Sequence, residues 1–376
     1  MVKIKGLIPI ILLSLIPVLL IWAPFLLRFK TFWTIPLPQQ GMATIVANYD
    51  GPLYLAVAKT FYNPKLLGDN YQFPLSNEYY SAHFPLFPLL IRLFSPILGQ
   101  PYSMLFITFV SSVFALYFFY QHANRYLSKE NALFLTAVFS IFPARWLIVR
   151  SVGSPEPLFI ALILSSTYYF AKKKYVFAGI AGFFAAMTKS PAILLFIVYC
   201  LQVTVPRLHN FNQINFKKYL PLLLVPLGLF AVFSIYAVRY GDFFTYFKSG
   251  DNIHLFFPPF QIFNFSAPWV GTFWLEEVIF IYLISVLGIY KLWQEKMKTY
   301  FYFSLVFFAS LLFVAHRDLL RYSLPIVPFM LIAFRNTLLK KEFKIAMLVI
   351  IIPIYLYSLA FISQNVMPIA DWTPFL

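Results

Sequence analysis

The chain has one cysteine, Cys200, in 376 residues. No intrachain disulfide and no cysteine-cluster metal site can therefore be built. Charge is almost as scarce: Asp, Glu, Lys and Arg together make 11% of the residues, with only 13 acids, where soluble domains carry about a quarter. Histidine occurs five times and builds no His/Asp cluster at ligand spacing, so a tightly held structural metal is not expected. Low-complexity tracts, internal repeats and long polar domains are missing too. What remains is 61% hydrophobic with a mean hydropathy of +0.77, the composition of a multi-pass membrane protein.

Apolar runs recur near 7–27, 102–121, 131–149, 157–171, 176–188, 191–205, 219–238, 273–291, 299–315, 319–335 and 345–362. A helix needs roughly 20 residues to cross a bilayer, so these predict about eleven transmembrane helices, with 157–171 and 176–188 short and tilted or partly buried. The runs are apolar on all sides, which excludes barrel strands. The fold class is all-α, a single integral membrane domain over 1–376.

Charge tests the count, because short connections rich in Lys and Arg belong on the cytoplasmic side. With the N-terminus inside, 17 of the 29 basic residues share that side with three acids, a net of +14, and the rest of the chain is left with +2. Every second connection is basic. The formal +16 is thus orientation charge and gives no reason to expect a nucleic-acid partner. Lys3 and Lys5 precede an apolar run that ends without a small-residue cleavage site, so the first helix is read as an uncleaved anchor.

The two largest outer connections are then 28–101 and 239–272, and the Asp371-Trp372 tail also faces outward. Within the first, Leu86, Leu89, Leu90, Leu93, Phe94 and Ile97 recur at helical spacing over a segment too short to span. It is expected to lie in the outer interface. A second interfacial helix is expected after Asp50, from Leu53, Tyr54, Val57, Ala58 and Phe61. Asp50 itself stands in Asn48-Tyr49-Asp50-Gly51-Pro52, a lone carboxylate just past a span, where it can serve as a base or as a helix N-cap.

These residues resemble the GT-C superfamily of glycosyltransferases, most closely the GPI second-mannosyltransferase-like branch and its prokaryotic relatives. The likeness rests on Tyr49-Asp50-Gly51 with Tyr54, on His83-Phe84-Pro85-Leu86-Phe87-Pro88, and on Arg321-Tyr322-Ser323-Leu324-Pro325-Ile326-Val327-Pro328. It is strong over 45–100 and weaker over 316–330. His83 departs from the branch's usual aromatic, and Tyr49 from its commoner Trp or Phe.

The resemblance implies a polyprenyl-phosphate-linked sugar as donor, transfer outside the cytoplasm with inversion, and Asp50 as catalytic base. The acceptor is a glycan, lipid or protein, and membrane lipids are partners. A phosphate leaving group needs no protonation, so one base and cations for the phosphate suffice. Arg321 and Arg317 are candidate phosphate clamps, against headgroup snorkelling. Lys189, Arg145 and Arg150 sit at outer span ends and can line the same pocket or merely set topology. Tyr54, Glu78, His83 and Glu156 are candidate substrate contacts; a lone His is commonly just hydrogen-bonded. Tyr79, Tyr80, Trp269 and Trp274 can stack on sugars or simply line the interface. No cofactor is required on this reading, which leaves room only for a weak divalent-cation dependence. The rival class is a transporter or lipid flippase, which places ionisable groups near the bilayer midplane; a non-catalytic membrane scaffold would leave the acidic loop unexplained.

Overall fold

The computed structural model describes residues 7–71, 73–207, 215–264, 266 and 275–376. Lys3, Lys5, Trp269 and Trp274 lie outside the described residues. Helices account for nearly all regular structure, and the one described ladder pairs Thr31–Phe32 with Ile35–Pro36.

In chain order the helices are α1 (Ile8–Leu26), α2 (Met42–Val46), α3 (Gly51–Thr60), α4 (Pro64–Asn70), α5 (Leu86–Leu98), α6 (Gln100–Ala123), α7 (Lys129–Ile141), α8 (Ala144–Ser151), α9 (Glu156–Ala171) and α10 (Tyr175–Ala186). There follow α11 (Ile193–Thr204), α12 (Phe216–Tyr219), α13 (Leu224–Tyr240), α14 (Glu276–Gln294), α15 (Lys298–Leu311), α16 (Leu319–Ser323), α17 (Val327–Ala333), α18 (Arg335–Leu338) and α19 (Lys341–Gln364). Each of the eleven apolar runs is helical over most of its described residues. Four described segments are long and apolar enough to cross a membrane: Ile8–Leu26, Gln100–Ala123, Phe216–Tyr240 and Lys341–Gln364. The pair α7–α8, bent by 72°, makes a fifth. The bend falls at Pro143, which has no N–H to carry a helix ladder through. The other runs form shorter apolar helices, broken at Pro191, Pro325 and Pro328.

Helix α9 packs between α6 and α10, and α10 packs against α13. The α10–α13 approach is made by small residues. A Cβ on Gly179 would stand 2.1 Å from the Pro221 carbonyl oxygen, one on Gly182 2.5 Å from Val225, and one on Gly228 2.4 Å from the Phe183 carbonyl oxygen. Lipid supplies no hydrophobic drive between helices, so backbones must come close for dispersion to hold them.

Two expectations need correction. Helix α3 does not lie with one face on an interface: Gly51 to Ala58 and Thr60 are all buried, so it is an internal helix. Arg150 is not at a pocket. It is 1% exposed and donates to the Ser14 carbonyl and hydroxyl, both at 2.8 Å, and to the Ser140 carbonyl, tying α1 and α7 to α8. Helix α5 forms as expected, with Phe87, Pro88 and Ile91 buried and Leu93 and Ile97 exposed.

The connections sort to two ends. The 28–101 segment meets the chain's last residues, the turns before α9 and after α10, and the segment before α16 at one end. Arg125, Lys173, Lys296 and Lys298 gather at the other.

Candidate active site

The centre begins with a strained turn. Tyr49 sits at φ +49°, in the left-handed region that a bulky residue occupies at a cost of order 1–3 kcal/mol and that recurs at functional sites. The preceding Asn48 is fixed from far along the chain: its Nδ2 donates to the Ile362 carbonyl at 2.7 Å, and Asn365 donates to its Oδ1 at 3.2 Å. The Met367 N–H donates to the Ala47 carbonyl at 2.8 Å. Gly51 is required on the other side, because any Cβ would lie 2.2 Å from the Val46 carbonyl oxygen. Between them Asp50 occupies the N-cap position of α3, but its side chain makes no capping hydrogen bond. Its carboxylate is 44% exposed and therefore open to another partner.

Arg321, on α16, reaches that carboxylate at 4.0 Å. Its guanidinium also lies 3.9 Å from Glu156 and 3.6 Å from Asp318, and over the Tyr49 ring at 4.7 Å. Glu156 opens α9 and is held by the Ser154 hydroxyl, which donates to it, and by Lys189 at 2.5 Å. The Ser154 backbone is pinned in turn by Thr108 of α6. Asp318 pairs with Arg145 at 2.9 Å and accepts from the Tyr49 hydroxyl at 3.4 Å. Arg145 stacks on Phe361 at 3.9 Å and donates to the hydroxyls of Tyr49 and Tyr357. Burial pushes the Asp318 carboxyl up, against the pull of Arg321 and Arg145.

Three carboxylates thus face three cations: Asp50, Glu156 and Asp318 with Arg145, Lys189 and Arg321. Glu156 and Asp318 are 7% and 11% exposed as side chains and each has an ion pair under 3 Å. Asp50 is the open one, held only at 4.0 Å. An acid so placed can accept a proton, while the neighbouring cations can stabilise an anion that forms beside it.

Of the residues singled out in the sequence, Asp50, Arg321, Lys189, Arg145 and Glu156 meet here. Tyr54 and His83 form a packed wall next to Asp50, with ring centroids 4.8 Å apart, and they are 4% and 2% exposed. Burial pushes the His83 imidazole below its ordinary range, and its Nδ1 has no hydrogen-bond partner. Glu78 lies in the 3-10 turn Asn77–Ala82 and acts electrostatically on Tyr240 and Lys248, away from the three carboxylates. Arg317 is exposed, and its charge is felt at His316.

Sequence reasoning missed Asp318 as the link between Arg145 and Arg321. The i, i+3 spacing of Asp318 and Arg321 was the available signal. It also missed His254 and His316, whose rings lie 4.4 Å apart and border Tyr322. His316 Nδ1 accepts from the Asp318 N–H at 2.9 Å. Among the described residues no group of three or more His, Cys, Asp or Glu could hold a metal ion.

Fold and centre together define a helical membrane protein with a polar cluster at one end of its bundle. Solved structures share this fold. The oligosaccharyltransferase of Archaeoglobus fulgidus in its apo form aligns at a TM-score of 0.59 and 12% identity, over 99% of this chain and 57% of that one. ArnT from Cupriavidus metallidurans bound to undecaprenyl phosphate aligns at 0.56 and 13%, over 92% and 63%, and its apo state at 0.53 and 14%, over 82% and 61%. The chain therefore spans less than two thirds of the length of these neighbours, and at this identity the likeness is one of fold. No protein-family model matches the chain, and no curated protein matches it.

Proposed function

We propose that this protein is an inverting glycosyltransferase that moves a sugar from a polyprenyl-phosphate donor to a glycan, lipid or protein acceptor outside the cytoplasm. The observation that carries the reading is the uncapped, open carboxylate of Asp50 at 4.0 Å from Arg321. Asp50 takes the proton from an acceptor hydroxyl as that oxygen attacks the anomeric carbon. The bond from that carbon to the phosphate oxygen breaks, and the electron pair leaves on polyprenyl phosphate. Arg321, with Lys189 beside it, receives the departing charge.

The GT-C resemblance read from Tyr49-Asp50-Gly51 agrees with a fold shared with an oligosaccharyltransferase and with ArnT, which is seen bound to undecaprenyl phosphate. The likeness to the GPI second-mannosyltransferase-like branch makes mannose the first sugar to test. Eleven spans, a cytoplasmic N-terminus and an outward-facing centre complete the reading, with no resident metal needed. The ionisable groups of the centre stand at helix ends and in turns, which supports surface chemistry over transport through the bilayer.

The test is to incubate the protein in lipid with a panel of polyprenyl-phosphate sugars and acceptors and follow release of polyprenyl phosphate. Release with one sugar, lost in Asp50→Asn, supports the reading. Absence of release across the panel, or release that survives Asp50→Asn, overturns it.

A further inference from the structure

The end of the bundle away from Asp50 carries a second polar feature. Helix α9 runs from Glu156 to Ala171, about 24 Å at 1.5 Å per residue, and its last turn opens on a cavity of about 300 Å³. Arg125, Lys173 and Lys296 line it from the turns after helices and Lys298 from the start of α15, and among the described residues no carboxylate does. The neighbouring Glu295 is already paired with Arg335 at 2.5 Å. The cations of these connections would be explained by membrane orientation alone if they splayed into solvent, but four of them converge on one hollow.

The backbone adds an independent observation. Lys173 and Lys296 stand at φ +60° and +55°, each just past the end of a helix. The two turns share one hydrogen-bond pattern: Lys173 N–H to Phe170 and Lys174 N–H to Tyr169, then Lys296 N–H to Trp293 and Met297 N–H to Leu292. Glycine is the usual occupant of such a position, and a side chain there is sterically penalised. Both turns carry lysine instead, and both lysines line the cavity. The wall also holds an unmatched polar group. Gln202 bonds Thr299 through one end of its amide at 2.8 Å, and its Oε1 is buried without a partner.

We propose that this cavity is a binding site for a phosphate group, carried by an anionic lipid headgroup or free in solution, with Lys173, Lys296, Arg125 and Lys298 as its cations. Its volume is at the lower end of that of small-ligand pockets, enough for a phosphate and a short polar head. The proposal is independent of the role of Asp50.

The experiment uses the full chain in phosphatidylcholine nanodiscs with two probes. Inorganic phosphate is followed by ³¹P line broadening, and phosphatidylglycerol by native mass spectrometry. The paired variants are Lys173→Gln/Lys296→Gln and Lys172→Gln/Lys174→Gln, which remove equal charge from the same end but only the first from the cavity. At roughly fivefold per lysine, the first should weaken binding more than tenfold and the second by less than threefold. A third variant, Lys173→Gly/Lys296→Gly, should bind as poorly as the first while melting no lower than the wild type, which separates lost binding from lost folding. Phosphatidylglycerol binding alone assigns the site to a headgroup, and binding of both probes to phosphate as such. Equal loss in the two Gln pairs, or no saturable binding of either probe, overturns the proposal.

Discussion

Asp50 and Arg321 face each other at 4.0 Å, too far for a hydrogen bond and close enough to share a ligand. The gap leaves the carboxylate ready to accept a proton and the guanidinium ready to donate to an anion. The two better-buried acids of the cluster have no such latitude, because Glu156 and Asp318 are occupied by Lys189 and Arg145.

Asp50→Asn keeps the shape of the side chain and removes its basicity. Positioned base catalysis contributes about 10²–10⁴-fold, so polyprenyl phosphate release should fall at least about 100-fold. Since Asp50 does not cap α3, the melting temperature should stay within a degree or two of the wild type. Near-normal turnover would return Asp50 to a purely local role.

Arg321→Ala should do two things at once. Donor kcat/KM should fall at least about tenfold, because the departing phosphate loses its nearest cation. Stability should drop by about 1–3 kcal/mol, since Glu156 and Asp318 keep Lys189 and Arg145 but lose a second cation in a largely buried cluster. Arg321→Lys restores the charge without the planar fork, so it should recover most of the melting temperature and only part of the kcat/KM. Unchanged donor kinetics in the Ala variant would leave Arg321 as an interface cation.

Gly51→Ala forces a methyl group against the Val46 carbonyl oxygen. The backbone must shift, at about 1–3 kcal/mol, and Asp50 moves with it. Turnover should fall although no charged group is altered. Full activity in the Gly51→Ala variant would show that the turn is looser than its packing indicates.

Acid should weaken the fold through His316, which burial and the adjoining His254, Arg321, Arg317 and Arg145 charges push down to about 3. A group with a depressed pKa stabilises above its ordinary value of about 6.5, and that contribution is lost as pH falls from there toward the folded value. The wild-type melting temperature should therefore drop between pH 6.5 and 5, and His316→Asn should flatten the drop. Parallel curves for the two proteins would exclude His316 as the source.

Orientation can be read by chemistry. After Cys200→Ser, single cysteines at Asn70 and Lys173 should label from opposite faces of a sealed vesicle. Labelling of both from one face would overturn the charge-derived topology.

Local signals were legible and tertiary ones were not. The apolar runs were readable because hydropathy belongs to each segment alone, and all eleven are helical over most of their described residues. Asp50, Arg321, Lys189, Arg145 and Glu156 could be named one at a time from motif and position. Their closure into one cluster through Asp318 depends on helices far apart in sequence. Arg150 looked like a span-end cation because nothing nearby reveals that two carbonyls and a hydroxyl from α1 and α7 would enclose it. The amphipathic pattern of α3 likewise gave no notice that other elements would cover its second face.

The bonds that hold Asn48 come from Ile362 and Asn365, and Met367 secures Ala47 beside it. This makes the geometry of the centre depend on α19 and the residues just after it. A nascent chain halted before α19 is complete already carries Asp50, Glu156, Lys189 and Arg321, but the turn that aims the acid has nothing to rest on. On the proposed function, competence would then switch on only when α19 has been inserted, so that copies still lacking that helix could not react with lipid-borne substrates.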